Sequence, residues 1–334
     1  MMKNRVLYFD VLNVISCISV VCMHSNGYVH SFVKDEWWWL RVLVEVVCYF
    51  AVPVFFMLSG ATLMNYRERY TTKEFLKKRF QRTVVPYLFW GIAFYTLYLL
   101  NNGVSSLQWS EVIERFLTGH IPYTNYWFFI PLFLLYVFIP FIALMVNNMS
   151  LKHVGYLCII LIFFQSVFPT INSLLGIDFE MSLPIGSYVV YMLLGYYISC
   201  TDIEKSNKGV LIICFIAFIS LIIRYWLLYN SDEKIPYLFT YFGLFAIFPA
   251  IAVFMLVKRL VCNSAELHSF WTFLSSKSLG VYLIHTFLIV IFAKIMSREN
   301  PWFILLATIL IYSISVVIVL IMQKNSFCKR NLLP

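Results

Sequence analysis

Long apolar runs separated by short polar stretches set the pattern of this chain. At about 20 apolar residues per bilayer crossing, the runs predict ten helices. They cover residues 7–25, 43–64, 84–101, 127–146, 153–169, 184–200, 209–229, 237–257, 273–293 and 302–322. Pro169, Gly176 and Pro184 interrupt the stretch between the fifth and sixth of them. No internal repeat and no sizeable soluble stretch is visible, so residues 1–334 read as a single membrane domain. The predicted class is all-α, a polytopic membrane protein of about ten transmembrane helices.

The first run, LYFDVLNVISCISVVCMHS (Leu7 to Ser25), departs from a plain anchor. At roughly 100° per residue, Asp10, Asn13, Cys17 and His24 fall on one helix face, while Val, Ile, Leu and Met dominate elsewhere. An ionisable group in hydrocarbon costs roughly 2.5 kcal/mol or more unless it faces protein or a wet cavity. The stripe therefore marks a candidate site. His24 is the candidate catalytic residue, with Asp10 beside it as a second catalytic candidate or as a cap of the helix start. The run is too long for a signal-peptide core and lacks a small-residue cleavage site, so it is expected to remain as a permanent span.

Composition sharpens the class. The chain has 334 residues, 61% hydrophobic and 12% charged, with mean hydropathy +0.82; soluble domains are about 25% charged. Trp37, Trp38 and Trp39 read as an interfacial anchor. The eight cysteines form no C-x-x-C pair and no metal spacing, which implies free thiols and no metal site.

The net charge of +9 is informative through its distribution. With the N-terminus inside, the inner segments hold Lys3, Arg5, Lys152, Lys205, Lys208, Lys258, Arg259, Lys324, Lys329 and Arg330, together with the basic loop described next. The outer segments hold only Lys34, Arg41, Arg115, Lys234, Lys294 and Arg298, while Arg224 and Lys277 fall within spans. The positive-inside rule then predicts both termini in the cytoplasm. Excess basic charge of this kind points to membrane orientation and lipid contact, with no nucleic-acid partner.

The loop NYRERYTTKEFLKKRFQRT (Asn65 to Thr83) carries seven cations against Glu68 and Glu74. Lys78, Arg79 and Arg82 are three or four apart and would share a helix face. Guanidinium groups grip phosphates bidentately, so the loop suits a cytoplasmic ligand with several phosphates, such as coenzyme A. An ordinary orienting loop that meets lipid headgroups is the alternative. Trp127, in a helix interrupted by Pro131, and Tyr282 and His285 on a later helix are candidate pocket residues, as is Asn13.

Together these stretches resemble the bacterial integral-membrane acyltransferase-3 family. The resemblance rests on FDVLNVISCISVVCMHS, VPVFFMLSGATL, FLKKRFQRTVVPYLFW, YWFFIPLFLLYVFIP and SLGVYLIHTF, which occur in this order along nearly the whole chain. In size and pattern it is similar to the branch that O-acetylates enterobacterial common antigen, without the extra extracellular domain of some relatives. The resemblance implies a multi-pass protein of the bacterial inner membrane that transfers an acyl group, most simply acetyl, to a hydroxyl of a cell-envelope polysaccharide. The donor would be acetyl-CoA or another acyl-CoA; the acceptor would be a glycan or a lipid-linked oligosaccharide; no permanently bound cofactor is implied. His24 matches the family's first-helix histidine, and Arg79 and Arg82 its inner arginine pair. Asn13 stands where the family often has an arginine. An imidazole with an ordinary pKa of about 6.5 suits a general base; an acyl-histidine intermediate is the covalent variant. The rival classes are a transporter or flippase for a polar glycan or solute, and a non-catalytic receptor. The paired repeats of many transporters are not visible.

Overall fold

The computed structural model describes residues 6–103, 108–177, 188–202, 207–261 and 265–333. The described residues are 81% helical and contain no strand, as the apolar pattern predicts. In chain order the helices are α1 (Leu7–Ser25), α2 (Gly27–His30), α3 (Trp38–Cys48), α4 (Ala51–Leu63), α5 (Thr72–Arg79), α6 (Val85–Asn102), α7 (Trp109–Thr118), α8 (Phe129–Asn147) and α9 (Leu151–Ile162). They continue with α10 (Phe168–Leu175), α11 (Val189–Cys200), α12 (Asn207–Asn230), α13 (Leu244–Leu260), α14 (Ala265–Ser275), α15 (Ser278–Phe292) and α16 (Trp302–Met322).

Among the described residues, 8 helical segments are long and apolar enough to cross a membrane, or up to 9 if α14 and α15 form one broken span. The sixth expected span, 184–200, survives as α11, which is apolar but shorter. Pro184 and the start of that expected span lie outside the described residues, as do Lys3, Arg5 and Lys205.

Two compact units emerge. The first comprises Met1–Asn65 and Phe141–Ser275. Here α1 packs against α3, α4, α13 and α14, and α4 packs along α11. The α4–α11 contact requires glycine on both sides. A Cβ at Gly60 would overlap the Met192 carbonyl, and one at Gly195 would overlap the Met57 carbonyl. Small residues at such crossings let two backbones touch where there is no water to drive association. On α12, Leu211, Phe215, Phe218 and Ile222 remain exposed, an outward face suited to lipid.

The second unit comprises Tyr66–Pro140 and Ser276–Pro334. Within it α15 packs on α16, with Gly280 against Val319, and α6 meets a terminal π-helical turn, Cys328–Leu332. The Tyr126 hydroxyl donates to Leu283 O (2.6 Å) and the Tyr282 hydroxyl to Asn125 O (2.8 Å), fastening α15 to the turn that precedes α8.

Three local expectations change. The stretch 65–83 is mostly helix rather than loop. Thr71 caps α5 by accepting from Glu74 N–H, while the Glu74 side chain accepts from Thr71 N–H. This reciprocal capping box supplies a helix start that charge alone conceals. The stretch 102–126, a connection between the predicted spans 84–101 and 127–146, likewise contains α7, ended by Gly119 in the left-handed region (φ 76°). The tryptophan cluster is divided: Trp39 is exposed, whereas Trp38 is buried with Val29, Val42, Val46, Leu228 and Leu238. A helix turns each successive residue by about 100°, so three adjacent indoles cannot all face one interface.

Candidate functional site

In the first unit, the polar stripe of α1 divides into a bracing part near the helix start and a half-buried histidine in its last turn. Asp10 is buried and accepts from the Thr272 hydroxyl at 2.8 Å. Asn13 donates from Nδ2 to both the carbonyl (3.1 Å) and the hydroxyl (2.8 Å) of Ser275. Both side chains therefore tie α1 to α14. Cys17 is buried, and His24 lies half-buried in the last turn of α1. Asp10 and His24 are fourteen positions apart, roughly 21 Å along the axis, so Asp10 cannot orient that imidazole directly.

The same end of α1 carries polar groups that the apolar pattern hides. The Cys22 thiol meets that of Cys48, and Asn26 Nδ2 donates to Arg41 O at 2.7 Å. These contacts make α1 and α3 antiparallel and set Glu45 at the height of His24. Glu45 is fully buried. Its Oε1 is 3.7 Å from the Arg224 guanidinium and its Oε2 is 3.6 Å from His30 Nε2, yet neither oxygen has a hydrogen bond. Arg224 donates to Leu238 O (3.1 and 2.8 Å) and lies over the Tyr49 ring at 3.6 Å. Arg41, expected in an outer loop, is buried in α3. It grips Asp35 through Nε and a terminal nitrogen and stacks over Tyr28. Reading residues 43–64 as an apolar span passed over Glu45; an acid inside one span and an arginine (Arg224) inside another is the signal that finds this pair.

In the second unit a cavity of about 560 Å³ is lined by Lys78, Gln81, Arg82, Ser276, Lys277, Gln323, Lys329 and Arg330. Five of these residues are cationic and none is acidic. Two of the three expected donor-binding residues, Lys78 and Arg82, are in this lining. Arg79 is not: its guanidinium lies 5.8 Å from the ring centres of both Phe75 and Tyr136. The cause is a π-helical turn, Phe80–Val84, between α5 and α6. Such a turn winds more slowly than an α-helix. It keeps positions 78 and 82 on one face and moves 79 away from it.

The remaining candidates belong to the packing of the second unit. Tyr282 packs on Phe128 and Phe129. Trp127 lies in the turn Tyr126–Phe128, against the left-handed Gly119. His285 is buried, and its Nδ1 sits 2.7 Å from Tyr282 O and 3.2 Å from Val281 O. Two carbonyls at that nitrogen assign it the proton and make Nε2 the basic nitrogen of the neutral ring.

No curated protein and no solved structure matches this chain. The family model described as an acyltransferase domain matches residues 6–320, nearly the whole sequence. With its membrane-length helices and this match, the chain belongs to the membrane acyltransferase-3 family.

Proposed function

We propose that this membrane acyltransferase moves an acyl group, acetyl in the simplest case, from acyl-CoA to a hydroxyl of a cell-envelope glycan in the bacterial inner membrane. The observation that carries the donor half is the cavity lined by Lys78, Arg82 and further cations with no acid among them. Arginine and lysine there suit the diphosphate of coenzyme A. The donor reading rests on Lys78 and Arg82 rather than on Arg79.

His24 is assigned the role of general base. It takes the proton of the sugar hydroxyl as the oxygen attacks the thioester carbonyl; the C–O bond forms, the C–S bond breaks, and the proton passes to the leaving thiolate. Asp10 and Asn13 act by holding α1 against α14. The acceptor class comes from the family resemblance.

Cells with and without the chain, fed labelled acetate, test this reading. Alkali-labile label in envelope glycan should require the protein and disappear with His24→Ala. Equal labelling without the protein would refute the acceptor class, and full labelling by a stably inserted His24→Ala variant would refute the base.

A further inference from the structure

Inside the basic cavity of the second unit, the C-terminal turn Cys328–Leu332 forms part of the wall, and it lies beyond the last family-matched residue, 320. Lys329 and Arg330 are exposed, line the cavity and have no ion pair among the described residues; the same is true of Arg82. Lys277 is close enough to Lys329 for the two cations to repel each other. Like charges brought together without acids disfavour one another, so this arrangement is one that an anion stabilises.

The turn is also fixed in place. Gln323 Nε2 donates to Leu333 O (2.7 Å), the Lys277 ammonium donates to Gln323 Oε1, and Trp90 Nε1 donates to Leu332 O (3.3 Å). Leu332 and Leu333 are buried. Two apolar anchors and two carbonyl contacts thus hold Lys329 and Arg330 at the cavity.

We infer that this C-terminal turn is part of the donor site, and that Lys329 and Arg330 grip a phosphate of a ligand bearing two separate phosphate centres. The inference rests on the acyl-CoA reading above. Five cations exceed what one diphosphate, with roughly two negative charges, would balance. A further phosphomonoester adds roughly 1.5–2 charges and three acceptor oxygens, and the nucleotide end of coenzyme A carries both groups.

The test uses purified full-length protein in phosphatidylcholine nanodiscs, titrated calorimetrically with coenzyme A and with its 3′-dephospho form. Wild type should prefer coenzyme A by about ten-fold or more, the scale of one charge-assisted phosphate contact. The Lys329→Ala/Arg330→Ala variant should bind coenzyme A about ten-fold more weakly. Lys329→Gln/Arg330→Gln, checked for monodispersity, should do the same, and both side chains are exposed enough to leave the fold intact. Unchanged affinity in both variants, or no preference in wild type, would overturn the inference while leaving the donor reading standing. Failure of wild type to bind either form would end the donor reading and this inference together. Loss of coenzyme A binding when part of the lipid is replaced by phosphatidylglycerol would assign the pocket to lipid headgroups and overturn the inference.

Discussion

Single side chains separate chemistry from bracing. Asn13 makes two hydrogen bonds to Ser275. Asn13→Ala should therefore lower stability by roughly 1–2 kcal/mol, while acyl transfer per folded molecule is retained; thermal unfolding in detergent, paired with a transfer assay, reads both. Glu45 and Arg224 are a harsher case, since both are fully buried. Removing one partner of a buried ion pair costs roughly 3–5 kcal/mol, because the other charge is left without compensation. Glu45→Ala should therefore unfold at markedly lower temperature, and adding Arg224→Met should recover part of the loss in a double-mutant cycle. Full additivity of the two losses would show that the pair does not interact. The polar face of α1 was legible from spacing alone, because Asp10, Asn13, Cys17 and His24 recur at helical intervals. The bracing role of Asp10 and Asn13 was not, because Thr272 and Ser275 lie some 260 positions away.

At the scale of helices, the tightest packing is the α4–α11 crossing. Backbone carbonyls meet each glycine there, so neither Gly60 nor Gly195 has room for a methyl group. Gly60→Val or Gly195→Val should separate the helices at a cost of roughly 1–3 kcal/mol or more, seen as loss of monodisperse protein on size exclusion. A normal elution profile and unfolding temperature would contradict that packing. Lys258 illustrates how charge counting misleads at this scale. Its ammonium donates to the carbonyls of Ile198 (2.8 Å), Ser199 (3.0 Å) and Thr201 (2.6 Å), capping α11 as well as adding to a basic segment. The capping box at Thr71 and Glu74 was readable from Thr-x-x-Glu spacing, whereas the π turn after α5 carries no comparable mark in its sequence.

For the molecule as a whole, hydropathy located every membrane-length helix, with α11 shorter than expected and the α14–α15 pair broken near Ser276. Hydropathy could not show that the chain forms two compact units, because the units interleave non-contiguous stretches. The basic segments support the proposal that both termini face the cytoplasm. A C-terminal alkaline phosphatase fusion should then be inactive and a C-terminal fluorescent-protein fusion bright; the opposite pair would reverse the orientation.

The slow-winding turn at Phe80–Val84 gives the enzyme a phase offset between its charged helix and the apolar one that follows. Inserting one residue between Lys78 and that turn would swing Lys78 around the axis by roughly 100°, with the hydrophobic length of α6 untouched. Such a protein should still insert and accumulate normally while its demand for thioester rises steeply, a fault of angle and not of charge.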